Sequence, residues 1–410
     1  MTEAVPGLYL DYAATTPVDR RVAAAMNECL LADGDFGNPA SAGHAWGRAA
    51  ASRVHRARAQ VAALIGSEPE ALVWTSGATE SINLAVLGRV RFAMARGRGR
   101  HVITGRTEHS ATLAACHQLE REGAEVTWLA PDADGRLTTD AVLGALRDDT
   151  VLVTLMHVNN ETGVLQPVTD LARAMTDHPA SLHVDAAQSA GLFALDVADG
   201  IDLLSLSAHK FYGPKGVGAL YVRRRPRLRL QPLVFGGEQE AGLRAGTLPV
   251  HQIVGMGVAA ELARERREGD RERLTVLNAR LLEGLERLEG VVLNGRGERA
   301  PHIVNASFVG VHGESLALAM EGVGLSAGSA CTSASATASH VLRAMGVADG
   351  LALASFRFSL GRGSTEAQID EVLGRLAGEL AEQRRRSPAW AGYRAGRDLD
   401  EIYRTGSAAP

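Results

Sequence analysis

Short apolar runs alternate with longer segments of helical spacing through the first half of the chain. Segments such as 111–122 and 169–176 carry apolar residues three and four positions apart, which predicts helices. The apolar runs predict strands at 71–74, 101–104, 126–129, 151–157, 182–184, 203–206 and 217–222. This alternation is typical of βαβ units, and continuous apolar runs indicate strands covered on both faces. The sequence therefore predicts an α/β fold with a mostly parallel seven-stranded sheet.

The second half of the chain begins with a long charged segment, 251–289, that predicts a helix bridging to a second unit. Strands are predicted beyond it at 303–308 and 355–360, and a helix at 365–384. The polar tail from residue 384 to residue 410 is either a partly ordered docking segment or a frayed terminus. We expect a large domain over 15–265 and a smaller α/β domain formed by 1–14 and 266–410.

Composition and charge exclude several classes of protein. The 410 residues are 46% hydrophobic, which is enough for a sizeable core, and the formal net charge of −4 gives no basic field for nucleic acid or a membrane surface. No apolar stretch reaches the ~18 residues of a membrane span, and the N-terminus does not resemble a signal peptide. Three scattered cysteines predict neither a disulfide framework nor a zinc site, so we expect a cytoplasmic protein.

Polar residues follow five of the predicted strands. The first such segment, TSGATES, places Gly77, Ala78 and Thr79 at the start of a helix, where free backbone N–H groups suit a phosphate. The other strands are followed by Thr107–His109, Asn159–Glu161, Asp185–Gln188 and Ser207–Lys210. Any one of these could be a cap or a turn residue. Together they indicate a ligand site, because parallel α/β sheets bind ligands beyond the carboxyl ends of their strands.

This set of side chains matches the requirements of pyridoxal phosphate (PLP). The cofactor needs a lysine for a Schiff base, an acidic partner for its ring nitrogen, and donors for its phosphate. Lys210, Asp185 and the TSGATES segment supply them, and His109 could lie over the ring. A lysine is more often a solvated surface residue, and the neighbouring strand ends are what favour the functional interpretation of Lys210.

Two further residues of the second half could take part in chemistry. Cys331 lies in the loop 325–340, whose Gly, Ser, Ala and Thr residues could let a thiol reach two places, whereas Cys29 and Cys116 lie in apolar helical contexts and are interpreted as packing residues. Arg357 could bind a substrate carboxylate with two hydrogen bonds, or it could be a structural arginine.

Motifs spread along the chain, from about residue 8 to residue 403, carry a specific resemblance to a known family. They are YLDYAATTPVDRRV, FGNPAS, TSGATES, TEHSA, MHVNNETGV, HVDAAQS, SAHKFYGPKGVGALYVRR, RAGTLPVHQIVGMG, GSACTSAS and FRFSLGR. These motifs resemble those of cysteine desulfurases of the Isc/NifS branch with a long cysteine loop, which are class-V aminotransferase-like enzymes. The ending SPAWAGYRAGRDLDEIY is similar to the tail with which the housekeeping members dock their cluster scaffold.

The resemblance implies a PLP enzyme of fold type I, acting as a homodimer, that converts L-cysteine to L-alanine and leaves the sulfur as a persulfide on Cys331. It implies that Lys210 carries the cofactor, Asp185 pairs with the ring nitrogen, Gln188 bonds the ring hydroxyl, and His109 stacks on the ring and moves protons. The remaining implied binding residues are Ala78, Thr79, Ser207 and His209 for the phosphate, Thr247 from the other subunit, and Asn160 and Arg357 for cofactor and substrate.

The resemblance also implies partners. One is an IscU-like iron-sulfur scaffold, with which Cys331 would share a transient iron-sulfur ligand role. Others are sulfur-relay proteins, including those that lead to tRNA thiolation, and a frataxin-like protein that would bind at the basic run 223–229. That run could equally be a solvated face. The chain departs from the family pattern at Glu238, Ala241, Ser110 and 336–338, which affects the expected loop shape and docking.

Three rival interpretations stay open from the sequence. An aminotransferase of the same fold would not need Cys331. A selenocysteine lyase would share the site, and a catalytically silent scaffold would not need Lys210, Asp185 and His109 together.

Overall fold

The structure is a computed structural model that describes residues 7–327 and 337–404. Within those ranges, no helix combines the length and the apolar character needed to cross a membrane. Cys331 and Ala336 lie outside the described residues.

The larger sheet has seven strands in the order β2-β8-β7-β6-β5-β3-β4. Its strands are β2 (Leu72–Thr75), β3 (His101–Gly105), β4 (Glu125–Leu129), β5 (Thr150–Met156), β6 (Ser181–Asp185), β7 (Leu203–Ser207) and β8 (Gly218–Val222). Pairings among β3 to β7 are parallel, and β8 is antiparallel to both of its neighbours. This confirms the predicted mostly parallel sheet, with strand ends shifted by a residue or so.

Helices cover the two faces of this sheet, as its apolar strands require. They are α1 (Arg20–Asn27), α2 (Ala45–Leu64), α3 (Ala78–Met94), α4 (Ser110–Arg121), α5 (Thr139–Gly144), α6 (Val168–Ala174) and α7 (Val250–Glu286). One buried cluster, around Trp74, packs α2 and the first part of α7 against one face. A second cluster, around Val86, packs α3 and α4 against the other face.

A four-stranded antiparallel sheet forms the second core, in the order β12-β13-β10-β9. Its strands are β9 (Val291–Asn294), β10 (Ile303–Phe308), β12 (Ser326–Ala327) and β13 (Ser355–Ser359). The short β1 (Leu8–Tyr9) pairs with β11 (Val323–Gly324), so the N-terminal segment joins this part of the molecule. The predicted domain limits remain a prediction, and the two sheets lie one in each of the predicted large and small parts.

The remaining helices belong to the same part of the chain as this second sheet. They are α8 (Gly313–Ala319), α9 (His340–Ala344), α10 (Asp349–Leu353), α11 (Glu366–Arg384), α12 (Pro388–Arg394) and α13 (Leu399–Arg404). The last two belong to the polar tail. The Arg384 guanidinium lies 4.0 Å from the centre of the Trp390 ring, and the Gly310 N–H donates to Tyr403 Oη at 2.8 Å. The tail is therefore docked on its own chain through residue 404 rather than frayed.

Candidate active site

A cavity of about 550 Å³ opens where the strands of the large sheet end. Most of the predicted site residues line it together: Ala78, Thr79, His109, Asn160, Asp185, Gln188, Ser207, His209, Lys210 and Arg357. Thr247 does not line this cavity and is exposed in the single chain. The larger basic groove of about 760 Å³, beside residues 223–229, does not contain these groups.

The end of the cavity that suits a phosphate is formed by the turn between β2 and α3. Gly77 has a φ of 155°, a conformation that favours glycine, and the 17-residue helix α3 begins at the next residue. The free N–H groups and positive dipole of such a helix start attract anions. Ser207, at the end of β7, faces this turn, because its Oγ lies 3.8 Å from the position that a Cβ on Gly77 would occupy.

Asp185 lies at the end of β6, deep in the cavity. Its Oδ1 accepts a hydrogen bond from the Ala187 N–H at 2.9 Å. Burial raises the pKa of Asp185, and the Ala187 N–H together with His109 and Lys210 opposes that rise. A buried carboxylate of this kind is stabilised by a positive partner such as a protonated ring nitrogen.

His109 caps the N-terminus of α4. Its Nδ1 accepts a hydrogen bond from the Ala111 N–H at 3.2 Å, so the neutral ring carries its proton on Nε2. Burial lowers the pKa of His109; the charge of Asp185 opposes this change and the charge of Lys210 adds to it. The imidazole is therefore neutral at physiological pH and able to hold or release a proton within the cavity.

Lys210 lies in the single helical turn that follows β7. Its Nζ donates to the carbonyl oxygen of Ala13 at 2.5 Å and to that of Ala14 at 3.0 Å. Burial, followed by the charge of Arg357, lowers the pKa of Lys210 to about 8. The amine is thus far closer to its neutral, nucleophilic form than an ordinary lysine at the same pH.

Arg357 reaches the cavity from β13 of the second sheet and is held on two sides. Its Nη1 donates to the Asn160 carbonyl oxygen at 2.7 Å, and its Nη2 forms an ion pair with Asp11 at 2.7 Å. Gln188, which lines the same cavity, donates from Nε2 to the Ala13 carbonyl oxygen at 2.8 Å. These contacts fix side chains from distant parts of the sequence around one space.

Sequence reasoning missed several residues of this site. The Ala13 and Ala14 carbonyls act through the backbone, so no side-chain pattern indicates them. Glu108 belongs to one of the predicted strand ends and lies next to His109 in the sequence, outside the lining of the cavity. It is completely buried, its Oε1 accepts from the Met156 N–H at 3.0 Å, and burial raises its pKa well above the ordinary value. Lys215 also lines the cavity, and its signal was the scarcity of lysine in the chain.

The departure at residues 238–241 is accommodated by an unusual turn. Glu240 and Ala241 have φ values of 48° and 54°, in the left-handed region that non-glycine residues rarely adopt. The turn is held by the buried Glu240 carboxylate, which pairs with Arg58 at 2.5 Å and accepts from the Trp74 N–H at 2.8 Å. The basic run 223–229 is partly paired within the chain, since Arg223 contacts the Asp202 carboxylate at 2.6 Å.

Known proteins resemble this chain over most of its length. The class-V aminotransferase family model matches residues 8–372. The chain is 51% identical over 397 residues to the cysteine desulfurase IscS of Aeromonas hydrophila, covering 96% of this chain and 98% of that protein, and 50% identical with the same coverage to that of Klebsiella pneumoniae. A solved NifS-like protein superposes with a TM-score of 0.85 at 34% identity, over 92% of this chain and all of the other. The solved structure of DndA from Streptomyces lividans superposes with a TM-score of 0.74 at 43% identity, over 86% of this chain and 99% of DndA.

Proposed function

The chain belongs to the class-V aminotransferase family and is a PLP-dependent cysteine desulfurase of the IscS/NifS type, and on that basis we propose the residues and partners through which it works. The observation that carries the proposal is the meeting of Lys210, Asp185 and His109 in one cavity at the strand ends. An aminotransferase or a selenocysteine lyase is not favoured by the relatives, and a silent scaffold would not need these three groups.

The donor set of the cavity fits PLP. The cofactor, when bound, supplies an electron-accepting ring that stabilises negative charge at the substrate Cα. Lys210 would hold its aldehyde carbon, because the amine is buried and has a lowered pKa. Asp185 would keep the ring nitrogen protonated, and Gln188 would bond the ring hydroxyl. The turn at Ala78 and Thr79, with Ser207 and His209, would hold the phosphate.

Substrate orientation and proton movement fall to three other residues. Arg357, fixed by Asn160 and Asp11, presents a guanidinium to the carboxylate of L-cysteine and so orients its Cα–H bond. His109 would move protons between substrate atoms and the cavity, since its neutral ring can both accept and donate. One structural neighbour is titled as a complex with cysteine and shares 37% identity, which supports this substrate.

Cys331 would take the sulfur as a persulfide, and the described strand that precedes it in the sequence pairs with the strand that carries Arg357. Ser326 in β12 lies opposite Arg357 in β13, and Ala327 is the next residue. Cys331 comes four positions after Ala327 in the sequence, which supports its assignment as the thiol that would meet a substrate held by Arg357.

A second copy of the chain would complete the site. Large apolar side chains are exposed in the single chain, including Leu31 at 58%, Trp46 at 58% and Phe235 at 77%. Exposed apolar area of this kind is typical of an interface. In the homodimer, Thr247 would reach the phosphate bound by the partner subunit.

The persulfide would be delivered to acceptors in the cytoplasm. We propose an IscU-like scaffold for iron-sulfur cluster assembly, with Cys331 as a transient iron-sulfur ligand, and sulfur-relay proteins, tRNA thiolation included, as further acceptors. The groove beside residues 223–229 is lined by Arg224, Arg225, Arg227 and Arg229, and would suit an acidic partner of the frataxin type.

The test measures alanine and sulfide together from purified protein, L-cysteine and a reductant. We expect equal amounts from the wild type, and neither product from Cys331→Ser or Lys210→Ala. Cys116→Ser is the matched control, because this thiol is fully buried and burial raises its pKa to about 12. Sulfide release by Cys331→Ser at the wild-type rate would refute the assignment of the sulfur acceptor.

A further inference from the structure

Lysine is nearly absent from this chain, and both of its lysines line the same cavity. The 43 basic residues of the sequence include only Lys210 and Lys215 as lysines. Both residues line the cavity at the strand ends, and the charge of Lys215 acts on His209 in that cavity. Lys210 has the role of holding the cofactor through its amine, whereas no role follows for Lys215 from the chemistry described so far.

The topology places Lys215 at the phosphate end of the cavity. Strand β8 is antiparallel to β2 and β7, so it begins where those two strands end. Gly218, its first residue, pairs with both Thr75 and Ser207. A Cβ on Gly218 would lie 2.7 Å from the Gly77 Cα, which shows how closely this segment approaches the turn that opens α3.

The turn that carries Lys215 is itself fixed. Gly216 has a φ of 83°, and the Lys215 carbonyl oxygen accepts a hydrogen bond from Gln252 Nε2 at 3.2 Å. The Ala208 N–H donates to the Val217 carbonyl oxygen at 3.2 Å, which ties the turn to the segment between Ser207 and Lys210. The Lys215 side chain therefore starts from a defined position beside the predicted phosphate donors.

The charges at this end do not balance a phosphate without Lys215. A phosphate monoester carries a charge of about −1.5 to −2 at neutral pH. The other groups there are backbone N–H groups, the hydroxyls of Thr79 and Ser207, and His209. Burial, followed by the charges of Lys210 and Lys215, lowers the pKa of His209 to about 4. His209 is therefore uncharged at pH 7.

The other charged groups of this region are already paired with one another or with groups elsewhere in the site. Glu80 lines the cavity and is negative. Burial acts to raise its pKa, but the hydrogen bonds from Arg244 and Ser76 hold that pKa below its ordinary value. Arg244 is paired with Glu80 at 2.9 Å, and Arg357 is tied to Asp11 on the substrate side.

We propose that Lys215 is a binding residue for the phosphate of the cofactor, to which its ammonium group supplies the compensating charge. A lysine binds phosphate as a flexible point charge, which suits a side chain reaching in from a turn. Lys210 would thus bind the aldehyde carbon of the cofactor, and Lys215 would bind its phosphate. The proposal rests on the proposed position of the phosphate at the start of α3.

The test compares two forms of the cofactor on the apoprotein. Pyridoxal phosphate and pyridoxal both form an imine with Lys210, but only the first carries a phosphate. For Lys215→Gln, we expect the dissociation constant of pyridoxal phosphate to rise about ten- to one-hundredfold, the range for a lost charged hydrogen bond. The dissociation constant of pyridoxal should stay unchanged. Imine absorbance measures both, and inorganic phosphate should compete with pyridoxal phosphate less well in the variant.

Two further variants make the result decisive. Lys215→Arg keeps the charge and should recover most of the affinity for pyridoxal phosphate. Ser207→Ala reports on the position of the phosphate itself. An unchanged affinity for pyridoxal phosphate in Lys215→Gln, or an equal loss for both forms, would overturn the role of Lys215. If Ser207→Ala also left the affinity unchanged, the error would lie in the proposed phosphate position.

Discussion

The lowered pKa of Lys210 gives a quantitative prediction about its reactivity. With a pKa of about 8, roughly one quarter of the amine is neutral at pH 7.5, whereas an ordinary lysine has about one neutral amine in a thousand. Replacing Arg357 by Gln removes the largest charge effect after burial, and it leaves Asp11 without its partner. Both changes favour the ammonium form, so the pKa of Lys210 should rise in Arg357→Gln.

The assay benefits from the scarcity of lysine. Trace labelling of the apoprotein with an amine reagent, followed by peptide mass spectrometry, has only Lys210, Lys215 and the N-terminal amine to resolve. The labelling rate of Lys210 against pH should show a midpoint near 8 in the wild type. The midpoint should lie higher in Arg357→Gln, and the labelling rate at pH 7.5 should fall accordingly.

Arg343→Gln is the control for this experiment. Arg343 is paired with Asp349 in an exposed ion pair outside the cavity, so its loss changes the net charge equally without touching the site. A wild-type midpoint above pH 10 would refute the inference that burial activates Lys210. An unchanged or lower midpoint in Arg357→Gln would refute the electrostatic role of Arg357.

Three more changes test other parts of the structure. Glu240→Gln breaks the buried pair with Arg58, and the free energy of unfolding in urea should fall by about 3 kcal/mol; a loss below half that value would contradict a structural role for the pair. Trp390→Ala removes the stacking on Arg384, and the free energy of unfolding should fall by about 1–2 kcal/mol. The tail should also be cut faster by a protease. The pKa of Glu108 is raised in the folded state, so this group opposes folding increasingly as pH rises above about 4.5. As the pH rises from 5 to 8, the melting temperature of Glu108→Gln should therefore increase relative to that of the wild type. A relative decrease over the same range would show that Glu108 is ionised in the folded protein.

Much of the fold could be predicted because the strands are short apolar runs buried on both faces. Such runs need no long-range information, which is why β10 matches its predicted limits and the other predicted strands differ by a residue or so. The sequence did not predict β1, β9, β11 and β12. The direction of β8 could not be predicted, because an apolar run looks the same in either direction. That direction is nevertheless what brings the segment of Lys215 to the end of the cavity where α3 begins.

In the candidate site, too, local sequence patterns predict some features and not others. Lys210, Asp185 and His109 could be predicted because each follows a strand, and strand ends meet at one edge of a parallel sheet. The Ala13 and Ala14 carbonyls could not be predicted, since backbone acceptors leave no mark in the sequence. The pairing of Glu240 with Arg58, 182 positions apart, depends on tertiary packing that no local pattern encodes.

The 37-residue helix α7 links the two cores mechanically. Its first half contributes Ile253 and Met256 to the core of the large sheet, and its second half contributes Leu277 and Leu281 to that of the small sheet. At 1.5 Å per residue it is a continuous rod of about 55 Å. Unfolding of either core would remove the tertiary contacts of half of this helix, so both cores should unfold in one cooperative step. Lys210 and Arg357, which approach the cavity from different sheets, thereby keep a fixed spacing for as long as the chain is folded.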